Sequence, residues 1–436
     1  MPLRLPAPRP EGVFLSAIPC CSFRGRAPTW PQAQVDRDRP VLYSQCNNVP
    51  VAATAEHGGS MSPEEVRALF PVLRERAYLF SGGIAPANTR ALNALRKHMD
   101  YVTYDPGRLY AQDRGTDFVA VRRLFALLMG ADPEEVAIVA STSEGTNIAV
   151  DLIEPTPGGN VVFDEWSYAS TVYPFLLPAR QNLERRYVPP RGGIIQLEDM
   201  AKAIDDNTVA VGVSHVTPGQ GFRQDIAALA RIAHAHGALL LVDGAQSAGA
   251  MRINLHELDV DFFSCCAMKW LLGAAGVGFL YVARRHLGRV PTRAGYASNR
   301  KGFDIHDFEL HDTAERFQLG MPNLMGLAFT RPGLEILLET GMDAVERHVL
   351  DLSGYCIAGM LDRGVKVLTP LPPEHRLGVI AAEVDNARQL WQFLYDRGVD
   401  TYCHDRLFRV DPHVFNNRED IDRFLELLSE FQRQER

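Results

Sequence analysis

Lys269 stands inside CCAMKWLLGAAGVGFLYV, residues 265–282, between an apolar run and a glycine-bearing loop. Lysine is rarely buried, so the ordinary expectation is a loop residue facing water. An amine held in apolar surroundings loses solvation of its charged form. That suits a nucleophile that forms Schiff bases with carbonyl compounds. Three further stretches supply chemistry that such an amine could use. LLLVDGAQSAG puts Asp243 at the end of an apolar run, with Gln246 three residues on. An acid there is costly without a partner, unless it is simply a turn aspartate. VASTSEGTN puts Thr142 and Ser143 between a strand pattern and a helix pattern. Free N–H groups and hydroxyls at a helix start make an anion site; plain helix capping is the competing explanation. VFDEWSYASTVYPF puts Tyr168 just past another strand, where its ring would cover a flat ligand or fill a core.

The elements that position these residues alternate. RALNALRKHM and TDFVAVRRLFALLMG read as helices, the second ending at Gly130. VAIVAS, NVVFDE, TVAVGVSHV, ALLLVDGAQ, DFFSCC and GVGFLYV read as short strands. SEGTNIAVDLI, TVYPFLLPARQ and DIAALARIAHAHG read as the intervening helices. Short apolar strands separated by helices imply an α/β fold with a mainly parallel sheet covered on both faces. Ligands in such sheets lie at the carboxyl ends of strands. Beyond residue 330, RPGLEILLETGMDAVERHVLDLSGYCIAGMLDRG reads as one long amphipathic helix, and HRLGVIAAEV, ARQLWQFLYDRG and EDIDRFLELLSEFQ as a smaller α/β unit.

Placed at strand ends, the four groups describe one ligand. It has an aldehyde for Lys269, a basic ring nitrogen for Asp243, a phosphate for Thr142 and Ser143, and a flat face for Tyr168. Pyridoxal 5′-phosphate (PLP) has all four, and an acid on its ring nitrogen tunes it as an electron sink.

The remaining composition narrows the field. The chain has 436 residues, 46% hydrophobic and 22% charged, which is ordinary for a globular protein with a large core. A net charge of -8 and the lack of a basic run argue against a nucleic-acid partner. No apolar run approaches the roughly 18 residues of a membrane span. The seven cysteines show no metal-like spacing, so no metal is expected, and a reduced, cytoplasmic protein is. Residues 1–60 are rich in Pro and Arg; GVFLSAIPCC within them is interrupted by Pro19 and makes a poor signal core. A disordered extension is expected there.

VDGAQSAG…DVDFFSCCAMKWLLGAAGVGFLYV resembles the class V aminotransferase group of fold-type I PLP-dependent enzymes, which includes isopenicillin N epimerase-like proteins and cysteine desulfurases. The resemblance covers about residues 78–430. It implies a large PLP-binding domain, over 61–330, built on a seven-stranded-type sheet, and a small C-terminal domain over 331–436. The helix expected to open the first, at 62–76, is read from Ser62 as N-cap, Pro63 at the first helical position and the two glutamates after it. By the same resemblance Lys269 is the Schiff-base lysine, Asp243 pairs with the ring nitrogen and Gln246 bonds the ring oxygen. Thr142 and Ser143 match the phosphate-binding stretch, and Tyr168 the residue stacked on the ring. LFRVDPHVFNNREDIDRF is similar to the family's Arg-x-Ser-x-x-x-Tyr-Asn-Thr stretch, so Arg409 would bind a substrate α-carboxylate in its fork. The competing view is a surface pair of Arg409 with Asp411 or Asp405. RFQLGMPN matches a segment that crosses between subunits, which implies a homodimer with a shared site. Four positions depart from the pattern: Met268 replaces a His, Cys266 a phosphate-binding Ser, Met321 a Thr and Pro218 an Asn.

The resulting expectation is an enzyme acting on the α-amino group of an amino acid or amino-acid-like substrate through a Schiff base on Lys269, of transaminase or epimerase type. Decarboxylation or oxygen chemistry is an alternative motivated by the altered lysine surroundings. A cysteine desulfurase or selenocysteine lyase is another, with Cys403 as its thiol. A non-catalytic regulator on a retained scaffold is the last.

Overall fold

Seven short strands form the central sheet of the computed structural model, which describes residues 61–108, 114–303 and 305–435. The expected disordered extension over 1–60 lies outside the described residues. The chain opens with β1 (Ala77–Tyr78) after α1 (Pro63–Ala68), and continues through α2 (Thr89–Tyr104), α3 (Pro106–Arg108) and α4 (Arg114–Met129). The helix expected over 62–76 stops at Ala68, because Pro71 opens a separate 3-10 turn.

Then come β2 (Val136–Val139), α5 (Thr142–Asp151), β3 (Asn160–Asp164), α6 (Ala169–Val172), β4 (Glu184–Val188), α7 (Leu197–Ala203), β5 (Thr208–Ser214), α8 (Ile226–Ala235), β6 (Leu239–Asp243), α9 (Leu255–Leu258), β7 (Phe262–Cys266) and β8 (Gly278–Val282). Their order in the sheet is β2-β8-β7-β6-β5-β3-β4. Only β8 runs against its neighbours, β2 and β7, so the sheet is mainly parallel. β2, β3, β7 and β8 are buried along their whole length, which is why their sequences read as unbroken apolar runs. β4 is a half-exposed edge strand, and ERRYV carries too little apolar pattern to have marked it. TVYPFLLPARQ is not one helix: α6 spans a single turn, and short 3-10 turns follow with Pro174 second in one and Pro178 first in the other.

The stretch expected as one long helix is two, α10 (Leu324–Thr340) and α11 (Met342–Leu361). Gly341, at φ 82°, ends the first and starts the second. After them, β9 (Lys366–Val367), β10 (Ile380–Glu383), α12 (Ala387–Asp396), β11 (Val399–Asp400), β12 (Tyr402–His404), β13 (Leu407–Val410) and α13 (Arg418–Gln434) complete the chain. Strands β12-β13-β10-β9 form an antiparallel sheet with its own apolar core, including Ile380, Leu390, Phe408 and Phe424. β1 pairs in parallel with β11, and Phe80 bridges to Asp411. Residues 77–82 are thereby tied to the C-terminal sheet. The Ala85 N–H donates to the Met268 carbonyl at 2.7 Å, so the same loop reaches the lysine segment.

Candidate active site

β7 leads directly into the lysine turn. Its five residues are buried, and β8 returns beside it with Cys266 opposite Gly278. A side chain at 278 could not be accommodated: its Cβ would lie 2.7 Å from the Cys265 carbonyl oxygen and 3.1 Å from the carbonyl carbon of Ser141. Glycine therefore lets the start of α5 close onto the end of β7. Lys269 is half-buried in the turn, and its amine makes no hydrogen bond or ion pair among the described residues. Its neighbour Trp270 is fully buried and fixes the turn from both sides. The indole Nε1–H donates to Gln246 Oε1 at 2.8 Å, and the Trp270 carbonyl accepts from His413 Nε2 at 2.9 Å. His413 Nδ1 accepts the Val414 N–H at 2.7 Å, which leaves the proton on Nε2. Burial holds this imidazole down to about 4, so it stays neutral.

Asp243 ends β6, buried beside Ser214 of β5. Burial pushes its carboxyl up, against the Ala245 N–H at 2.8 Å and the positive charge of Lys269. The second oxygen has no hydrogen bond among the described residues. A buried acid in that condition lacks a cation. Gln246 is buried too; beyond its bond to Trp270, its Nε2 donates to the Gly82 carbonyl at 3.0 Å. One amide hydrogen is left for a ligand oxygen.

At α5 the Ser141 hydroxyl caps the Glu144 N–H, and the first backbone bond within the helix runs from Gly145 to Ser141. The N–H groups of Thr142 and Ser143 stand at the open end of the helix. The Thr142 hydroxyl is buried beside the Cys266 thiol, yet it is without a well-formed hydrogen bond. Burial pushes that thiol up, although Lys269 and Thr142 oppose the shift, so it is neutral. Ser143 is exposed and its hydroxyl meets that of Ser170 at 2.8 Å. Tyr168 caps α6 with its side chain 52% exposed, and its N–H donates to Ser214 Oγ at 3.0 Å. That bond ties the Tyr168 backbone to the strand end that pairs with Asp243.

Asp164, which the sequence reading passed over, builds the Tyr168 turn. Its carboxylate accepts the Trp166 N–H at 2.8 Å and the Ser167 hydroxyl at 2.7 Å. Burial raises it to about 6.

Arg409 lies in β13 with its guanidinium 5.1 Å from the Tyr402 ring centroid. The pairing with Asp411 is buried rather than superficial, with side-chain exposures of 8% and 0%. Asp405 lies instead beside His404. The carbonyl of Pro218 accepts from Arg409 Nη1 at 2.8 Å. Met268 is half-buried and Met321 is exposed.

These strand ends and one helix start can take an aldehyde at Lys269, a cationic ring nitrogen at Asp243 and an anion at Thr142. Away from the site, Asp132, Glu135 and His256 also converge. His256 pairs with Glu135 and Arg284 with Asp132, which accounts for that cluster without a metal.

Residues 77–401 match the family profile described as aminotransferase class V. The chain is 28% identical over 360 residues to an uncharacterized aminotransferase, YcbU, of Bacillus subtilis (strain 168), covering 82% of this chain and 95% of that protein. It is 27% identical over 398 residues to a cysteine desulfurase of Escherichia coli (strain SE11), covering 84% and 97%. Among solved structures, an apo cysteine desulfurase from Thermococcus onnurineus NA1 superposes with a TM-score of 0.77 at 23% identity, over 86% of this chain and 99% of that one. A C-DES variant with glycine covalently linked to PLP gives 0.76 at 22% identity, over 84% and 99%. The fold and the family match together define a fold-type I PLP-dependent enzyme. The chain belongs to the aminotransferase class V family, and its cofactor is pyridoxal 5′-phosphate.

Proposed function

We propose that the protein acts on the amino group of a small amino-acid-like substrate, as a transaminase or epimerase, with Lys269 as the cofactor-bearing residue. The observation that carries this reading is the convergence on one lysine. Asp243 pairs with Ser264 across β6 and β7, Ser264 Oγ donates to the Thr142 carbonyl at 2.9 Å, and β7 runs on through Cys266 into the Lys269 turn. When bound, PLP supplies an electron sink for the bond next to the amine. Asp243 would hold the ring nitrogen in its cationic form. Thr142, with the open N–H groups of α5, would hold the phosphate, while Cys266 lines the same wall as a neutral thiol. Gln246 would donate its spare amide hydrogen to the ring oxygen, and Tyr168 would screen one face from water. The Lys269 amine would take a proton from the substrate and return it.

The desulfurase reading draws support from the names of several relatives and needs a thiol facing the substrate. Cys403 is adjacent to Tyr402 on β12, and neighbours on a strand face opposite ways. Tyr402 lies against Arg409 and Phe80, whereas Cys403 packs on the C-terminal apolar core. That orientation favours the amino-transfer reading. We further propose a homodimer working in the cytoplasm. The four described cysteines are free, and no helix among the described residues is long and apolar enough to cross a membrane.

The test is proton exchange. Candidate amines are incubated with the holoenzyme in heavy water and followed by NMR, with sulfide measured alongside. Exchange next to the amine without sulfide release is expected. Sulfide release from cysteine that is lost in Cys403→Ala would transfer the assignment to a desulfurase.

A further inference from the structure

The family stretch that Arg409 resembles carries Ser two residues on; this chain carries Asp411. Arg409 Nε donates to one Asp411 oxygen at 3.3 Å and Nη2 to the other at 2.5 Å. Both residues are buried. The arrangement is held by the fold and not by two mobile side chains. The Asp411 N–H donates to the Leu79 carbonyl at 2.8 Å, and its own carbonyl accepts the Ser81 N–H at 3.2 Å. Gly82 completes the cradle: a Cβ there would lie 2.5 Å from Arg409 Nη2 and 2.6 Å from Asp411 Oδ2. The Gly82 carbonyl accepts from Gln246 Nε2 at 3.0 Å and the Ala85 N–H donates to the Met268 carbonyl at 2.7 Å, which ties this cradle to the turn that carries Lys269.

An arginine fork binds a carboxylate through two parallel N–H groups. Here the Nε–Nη2 edge already holds one, and Nη1 also donates to the Pro218 carbonyl. We propose that Asp411 sets the substrate class: the site selects primary amines whose neighbouring substituent is uncharged, such as an amide or an alcohol, over α-amino carboxylates. A second carboxylate would meet a neutralised guanidinium and the negative oxygens of Asp411. An amide carbonyl or hydroxyl accepts from the remaining Nη hydrogens without that repulsion. This inference rests on the reading that an amine reacts at Lys269.

The experiment is a titration of holoenzyme, followed by cofactor absorbance, with matched sets of an α-amino acid, its amide and its amino alcohol. In the unaltered protein the uncharged members bind at least tenfold more tightly. Asp411→Ser and Asp411→Asn shift that ratio at least tenfold toward the amino acid. Tighter binding of amino acids to the unaltered protein overturns the proposal, and that result needs no variant to fold. An unchanged ratio in both folded variants overturns it too. Either result with a normal cofactor spectrum leaves the Lys269 reading standing. Absence of cofactor absorbance from the unaltered protein overturns both.

Discussion

Trp270 Nε1 donates to Gln246 Oε1 at 2.8 Å, joining the lysine turn to the strand end that carries Asp243. Both partners are buried, so neither finds water if the other is removed. Trp270→Phe keeps most of the apolar volume and strands the Gln246 oxygen. A buried unsatisfied acceptor costs about 1–3 kcal/mol. The expected outcome is a lower denaturation midpoint together with faster loss of PLP on dialysis. An unchanged midpoint and unchanged retention would show that the bond does not brace the site.

Asp243→Ala is expected to lose most activity, with Asp243→Glu retaining more. A hydrogen bond to a charged group is worth about 1.5–3 kcal/mol, and loss of the electron sink adds to that. Steady-state rates check this. Ordinary turnover in Asp243→Ala would make the residue a turn aspartate.

Arg409→Lys is expected to lower stability by about 3 kcal/mol, because one point charge cannot satisfy both oxygens of a buried carboxylate. An exposed pair would contribute only about 0–1 kcal/mol. Denaturant unfolding at fixed pH separates the two magnitudes. Cofactor absorbance should survive the change.

Asp164 gives a pH signature. Burial raises its folded value to about 6 from an ordinary 3.8. Its contribution to stability is therefore fully present below about pH 4 and is lost as the pH rises through 6. Each unit is worth about 1.4 kcal/mol, so the swing is roughly 3 kcal/mol. The melting temperature of Asp164→Asn minus that of the unaltered protein should rise between pH 4.5 and pH 7. A difference that does not change with pH would show that Asp164 is not titrating there.

The parts of the site that lie within one continuous stretch were legible. Lys269 lies three residues past the end of β7, and Asp243 ends an apolar strand, so local pattern singled out both as candidates. The sheet was legible for the same reason, since its central strands are buried on both faces. Edge strand β4 lacks that pattern, and the prolines at 71, 174 and 178 cut helices that periodicity alone would have extended. The Asp411–Arg409–Gly82 cradle depends on contacts between segments more than 300 residues apart in sequence. Its one sequence signal was the aspartate standing where the resembled stretch has serine. His413 gave no signal, because its work is to hold a backbone carbonyl of the lysine turn.

The most direct measurement is chemical. Holoenzyme reduced with borohydride, digested and mapped by mass spectrometry should carry the phosphopyridoxyl group on Lys269, and Lys269→Ala should carry none. An adduct on Lys202 or Lys301, or one that persists in Lys269→Ala, would contradict the account.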